Sequence, residues 1–269
     1  MITIDIEKCI GCGQCVKDCF GKNLAMEDNK AKVLKERCMQ CGHCVAVCPE
    51  NAVEITDYDM AEVIDIAPPK FSAEDLIDFI KCRRSIRQYK DRPVEPELLD
   101  QIIEAGRFTP TGGNRQEITF VVVEKEMEQF RKIVIENLAI LSDRILNDEN
   151  AQPGIKGYAK RWIGIAERYK NNPDDIDDVF FRAPMAILIT GDHNIDAGLA
   201  ASNMELVACA NKLGVLYSGF ITRGANFEEA KKIIGVPEGK EVLTAMLVGY
   251  PNVKYMRSAP RREASVVRF

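Results

Sequence analysis

The sequence predicts an α+β protein in two parts: a short cysteine-rich domain over residues 1–69, and a larger α+β domain over 70–269 in which helices flank a central sheet. Three observations carry this. Eight of the ten cysteines fall before residue 49. The stretch "DIAPPKFSAED" then interrupts the chain, because Pro68-Pro69 continues neither helix nor sheet and favours an extended spacer. Beyond it, segments of helical periodicity alternate with short apolar runs.

The cysteines form two copies of C-x-x-C-x-x-C-x-x-x-C: Cys9, Cys12, Cys15 and Cys19, then Cys38, Cys41, Cys44 and Cys48. Thiolates three residues apart converge on one small polymetallic centre, and the run that ends in Pro49 resembles the bacterial ferredoxin pattern for 4Fe–4S ligation. Structural zinc is the rival, but zinc sites usually pair two C-x-x-C halves across a longer gap. A disulfide framework fits less well, since the chain is large, shows no secretory leader and leaves two cysteines outside the pattern. In the ferredoxin pattern the fourth thiol of each run ligates the other cluster. The resemblance therefore implies one cluster on Cys9, Cys12, Cys15 and Cys48, and another on Cys38, Cys41, Cys44 and Cys19. One departure is that Phe20, not Pro, follows Cys19. Gly11, Gly13 and Gly42 sit between ligands, where positive φ is expected, and His43 reads as a solvent-side residue or a donor to sulfide.

In the larger domain, Ser72 and Asp75 form a capping-box pattern ahead of Leu76, Ile77, Phe79 and Ile80, so a helix is expected to open there and stop near Arg84. "PVEPELLDQIIEAGRF" gives a second helix with Pro96 in its first turn and Leu98, Leu99, Ile102 and Ile103 inward. Residues 118–124, 185–190 and 243–250 read as strands. Helical stretches, one containing Trp162, separate the first two strands, and 196–214 reads as a long buried helix. Its Met204 and Cys209, and Cys82 on the first helix, read as core or subunit packing.

Bulk composition excludes several classes. With 46% hydrophobic and 29% charged residues and a net charge of −5, nothing basic calls for nucleic acid. No charge-poor apolar run is long enough to cross a bilayer, so no membrane role is expected, and reduced thiols point to the cytoplasm.

The densest remaining signal is "CRRSIRQYKDRPV", in which Arg83, Arg84, Ser85 and Arg87 crowd a helix end. Read on spacing alone, it is either an anion site or a solvated patch that caps helical carbonyls. With "FTPTGGNRQ", "GVLYSGFITR" and "GYPNVKYMRSAPRRE" it occurs in the order, and near the spacing, of the FMN-dependent nitroreductase family. The whole chain resembles the ferredoxin–nitroreductase fusions of anaerobic bacteria.

That resemblance implies roles. Arg83, Arg84 and Ser85 match phosphate and ribityl contacts, suited to guanidinium–phosphate forks. Arg87 matches the basic residue beside flavin N1 and the C2 carbonyl, where a cation favours the reduced ring. Pro110, Thr111, Gly112 and Asn114 match a loop that reaches the flavin from the other subunit. Ser218 and Gly219 match the loop bordering the ring near N5, and Arg261 with Arg262 the C-terminal pair on the phosphate. Arg115-Gln116-Glu117 follows Asn114 where the family often has Gln-Pro-Trp, which leaves the pocket wall open. No G-x-G-x-x-G follows a strand, so a separate nicotinamide site is not indicated.

The expected activity is electron transfer through two 4Fe–4S clusters to FMN and on to a nitroaromatic, quinone or similar conjugated acceptor, with flavin N5 carrying the chemistry and no side chain as acid or base. The alternative is an electron-carrier flavoprotein serving a protein partner, and a third reading is a sensor that has lost catalysis. The resemblance also implies a homodimer with FMN at its interface, consistent with the apolar tail "EASVVRF", and NADH, NADPH or reduced ferredoxin as candidate donors.

Overall fold

The computed structural model describes residues 1–35 and 38–269, which divide into two compact units: Met1–Lys70 with Thr111–Arg115, and Phe71–Pro110 with Gln116–Phe269. Each is organised differently.

The first unit is built from short pieces. Strand β1 (Ile2–Ile4) pairs antiparallel with β4 (Val53–Ile55), and β2 (Leu24–Glu27) with β3 (Lys30–Val33). Asp28 and Asn29 make the two-residue turn of that hairpin at φ 50° and 61°, the left-handed pair that matches strand twist. Helices α1 (Gln14–Asp18) and α2 (His43–Ala46) each start after a positive-φ glycine, Gly13 at 70° and Gly42 at 75°. Gly11, at φ 73°, could not carry a side chain, because a Cβ would stand 2.0 Å from the Asn29 carbonyl oxygen. The core is small and mixes Ile2, Leu24, Val53 and Ile55 with Cys9, Cys15 and Cys44.

The second unit opens with α3 (Ala73–Cys82), whose capping box is complete: the Asp75 amide donates to Ser72 Oγ at 3.1 Å and the Ser72 amide to Asp75 Oδ2 at 2.9 Å. Arg83 caps its C-terminus, one residue earlier than expected. Leu76, Ile77 and Ile80 are exposed and α3 buries no residue within the chain, so Cys82 is exposed and not core. Helix α4 (Pro96–Arg107) has Pro96 at its start and Ile102 fully buried. Glu95 caps its entry and accepts from the Tyr250 hydroxyl and the Arg92 guanidinium.

Next come β5 (Thr119–Val123), α5 (Met127–Asn147), α6 (Pro153–Asn171), β6 (Met185–Gly191), α7 (Asn194–Ala210), β7 (Gly214–Tyr217), α8 (Gly219–Ala225), α9 (Glu228–Ile234) and β8 (Glu241–Gly249). Among the described residues the strands form an antiparallel sheet in the order β5-β6-β8-β7. Period-two alternation divides β6 and β8 between two cores. Ala186, Leu188, Ala245 and Leu247 pack with Phe130, Trp162 and Ile221 from α5, α6 and α8, while Ile187, Ile189, Met246 and Val248 pack with Ile102 and Met204 from α4 and α7. A sheet covered on both faces explains why residues 185–190 read as an unbroken apolar run.

Candidate functional site

The first candidate site is the thiol set. Cys9, Cys12, Cys15 and Cys48 line one cavity together with Ile4, Gly13, Ala31 and Pro49. The second run is drawn together too: burial pushes the Cys44 thiol up to about 11, with Cys38 and Cys41 near enough to add to the rise. Burial likewise raises Cys15, with Cys48 and Cys12 beside it, whereas amide donors from Ala31 and Gly11 lower Cys9. Other sulfurs also accept backbone N–H donors: Cys19 from Asn23 at 3.2 Å, Cys38 from Gln40 at 3.4 Å and Cys48 from Ala52 at 3.3 Å. Donors aimed at sulfur suit a thiolate ligand and set its electronics.

Among the described residues no group of three or more His, Cys, Asp or Glu is close enough to share one metal ion. A zinc site needs all its donors about 2.3 Å from one atom. A cluster presents a separate iron to each thiol, so it fits a cavity walled by sulfurs. His43 is exposed and its Nδ1 meets Asp18 Oδ2 at 3.0 Å, so it faces solvent and another side chain.

The second candidate site is the segment after α3. Ser85 bridges to Val215 in parallel, and the Ile86 amide donates to the Val215 carbonyl at 3.0 Å, which lays Ser85–Ile86 along the edge of β7 not paired with β8. Gly214 permits the approach, since a Cβ there would stand 2.3 Å from Ile86 Cγ1. Ser218 and Gly219 follow directly at the end of β7. Arg84 Nη1 donates to the Lys81 carbonyl at 3.0 Å and to the Arg83 carbonyl, while its Nη2 is buried with no hydrogen-bond partner. A buried guanidinium nitrogen without an acceptor fits an anion such as a phosphate. Arg83 Nη1 donates to Glu205 Oε1 at 3.0 Å, and Arg87 is exposed.

Glu205, on α7, was not expected. It is 4% exposed, and burial raises its carboxyl despite the neighbouring Arg83 and Tyr217. Burial with the Glu205 charge also lifts the Tyr217 hydroxyl above its ordinary range and Cys209 to about 11. The signal was present in the sequence as an acid in the middle of an apolar, small-residue helix.

The remaining expected residues scatter. Ser218 is buried, and its Oγ accepts from the Ile221 amide at 3.3 Å as the cap of α8, while Gly219 is exposed. Pro110 and Gly112 are exposed. Thr111, Gly112 and Asn114 belong to the first unit, where Asn114 Nδ2 donates to the Met39 and Gln40 carbonyls at 2.9 and 3.1 Å. Arg261 and Arg262 are exposed on a C-terminal stretch without helix or strand, and the bond recorded for Arg261 is to the adjacent Pro260 carbonyl at 3.5 Å. Among the described residues no hydrogen bond or ion pair joins this pair to Arg83–Ser85.

Comparison with known proteins agrees with both halves. Residues 1–49 match the 4Fe-4S dicluster domain, and residues 80–250 match the nitroreductase family. A protein of Methanothermobacter thermautotrophicus, provisionally named NADH dehydrogenase/NAD(P)H nitroreductase, is 25% identical over 191 residues, covering 68% of this chain and 80% of its own. FMN reductase (NAD(P)H) of Bacillus subtilis is 28% identical over 179 residues, 66% of each chain. The crystal structure of a Bacteroides fragilis nitroreductase with bound FMN superposes with a TM-score of 0.57 at 17% identity, over 72% of this chain and 98% of that one, a likeness of fold. No helix among the described residues is long and apolar enough to cross a membrane. The nitroreductase match alone spans well over half of the sequence, and the helix-covered antiparallel sheet agrees with it: the chain belongs to the nitroreductase family and carries a 4Fe-4S dicluster domain over residues 1–49.

Proposed function

We propose that this nitroreductase-family oxidoreductase takes electrons into two 4Fe–4S clusters, passes them to FMN and delivers them to a nitroaromatic, quinone or similar conjugated acceptor. The observation that carries the reading is the presence of a dicluster domain and a nitroreductase domain in one chain. Clusters move single electrons, and a flavin converts them into the two-electron step that such an acceptor requires. In this reading the domains are 1–69 for the clusters and 70–269 for the flavin.

The chain's own residues supply binding and electrostatics. Arg84, with a buried and unpartnered Nη2, together with Arg83 and Ser85, holds the phosphate. Arg87 places positive charge at the N1 and C2 side, where it favours negative charge on the reduced ring. Gly219, without a side chain, lets the backbone border the ring near N5, and buried Ser218 fixes the turn by capping α8. The cluster ligands are Cys9, Cys12, Cys15 and Cys48, which line one cavity, and Cys38, Cys41, Cys44 and Cys19. Because burial favours the neutral thiol at Cys15 and Cys44, cluster assembly must release protons there. Arg261 and Arg262 reach a phosphate in a homodimer with FMN at its interface, and the exposed apolar residues of α3 and of the C-terminal tail are surface that such a partner covers. Residence in the reducing cytoplasm belongs to the same proposal.

The test is anaerobic stopped-flow on the reconstituted chain with NADH, NADPH and reduced ferredoxin in turn. The clusters are expected to be reduced before the flavin by the competent donor. If NAD(P)H bleaches the flavin while the clusters stay oxidised, the delivery role is wrong, and a colourless chain after oxygen-free reconstitution overturns the whole reading.

A further inference from the structure

Between the cluster cysteines Cys38 and Cys41 the chain makes a tight turn in which Gln40 adopts φ 51°. Left-handed backbone at a non-glycine residue persists where its surroundings fix it. One fixing group, beside the bond from the Gln40 side chain to Asp57, is Asn114, which stands outside the cysteine runs but within the first unit. Its Nδ2 donates to the Met39 carbonyl at 2.9 Å and to the Gln40 carbonyl at 3.1 Å, using both amide hydrogens. The Met39 carbonyl and the Gln40 N–H are two ends of one peptide unit, and that N–H donates to Cys38 Sγ at 3.4 Å. A relay therefore runs from the Asn114 amide through the 39–40 peptide to the ligand sulfur. A donor on the carbonyl polarises the peptide and strengthens the hydrogen bond given by its N–H. Hydrogen bonds to cluster sulfurs stabilise the reduced, more negative state, so they raise the reduction potential.

We propose that Asn114 is a positioning residue for the cluster held by Cys38, setting its reduction potential through the Met39–Gln40 peptide. The inference rests on the cluster reading above. Asn114 itself sits at φ 53°, and the preceding Gly113 at 64°, so asparagine suits the position both as a donor and as a residue that tolerates left-handed backbone. With its two hydrogens engaged by Met39 and Gln40, the Asn114 amide nitrogen has no donor left for a flavin.

The test is a potentiometric titration followed by electron paramagnetic resonance on the full, cluster-loaded chain and on Asn114→Gly and Asn114→Asp. Glycine removes the donor without straining the backbone, and aspartate replaces it with a group that adds negative charge and gives nothing to a carbonyl. The expected result is that one cluster's midpoint falls in both variants, further in the aspartate one, while the other cluster's midpoint and the iron content stay at their wild-type values. The inference is overturned if neither midpoint moves, if both move together, or if the variants lose iron, which would mark Asn114 as a mere loop tether. A wild-type chain that takes up no clusters overturns instead the reading on which this one rests.

Discussion

The two units owe their order to different forces. In the second, β6 is buried along its whole length and feeds alternate side chains into two apolar cores, so packing specifies the fold. In the first, strands of three or four residues pair two by two, and half-buried or buried sulfurs take up much of the interior. Strand pairs of that size are marginal alone, and thiols raised by burial stay protonated until metal binding displaces their protons to solvent. The contrast sets a unit ordered by apolar packing beside one whose small core is built partly from cysteine side chains and is expected to lean on its clusters for order.

Removing iron should break that parallel most visibly. Chelation under reducing conditions is expected to abolish hydrogen-exchange protection across residues 1–49 while the amides of β6 and β8 keep theirs. If both units lose protection together, the division of labour is wrong. Next in size is Ile187→Ala, at a fully buried position between the sheet and α7. It should cost the second unit about 2–5 kcal/mol in denaturant unfolding and leave iron content unchanged.

A smaller effect is expected at the candidate phosphate group. Arg84→Ala removes a charge-assisted donor worth about 1.5–3 kcal/mol, a loss of roughly 10- to 150-fold in FMN affinity by fluorescence quenching, with the unfolding midpoint of the flavin-free protein little changed. The smallest concerns Glu95. The Tyr250 hydroxyl and the Arg92 guanidinium lower its carboxyl from 4.5 to about 2. A lowered carboxylate stabilises the fold above its ordinary range and ceases to do so as pH falls through the folded value. The stability difference between wild type and Glu95→Gln should be constant above about pH 4.5 and vanish on acidification towards about 2, measured by urea unfolding across pH. Since Glu95 is part of the second unit, the cluster spectra should not follow it.

Much of this contrast was legible beforehand. Spacing alone picked out the thiols, because ligand geometry repeats in the sequence as directly as in space. The capping box at Ser72, Pro96 at the start of α4 and the long helix around Met204 were readable because caps and periodicity are local. Strand β7 was less so: "GVLY" lies within a stretch that resembles the family, yet at four residues it carries too little alternation to register as a strand. Helices α8 and α9 are seven residues each and went unread for the same reason. The inward-facing role of Glu205 and the engagement of Asn114 with Met39 and Gln40 depend on partners distant in the chain, which no local pattern encodes.

Strand β7 lies at the margin of the sheet, with β8 on one side and the Ser85–Ile86 segment along the other. An open margin invites a foreign strand to add itself, and here the stretch bearing the arginines occupies that seat. In the proposed reading, the same backbone that would offer guanidinium groups to an anion also covers an edge open to strand addition. Damage to it carries two signatures at once, weaker ligand grip and a stickier molecule, so loss of binding in that stretch is best interpreted alongside light scattering.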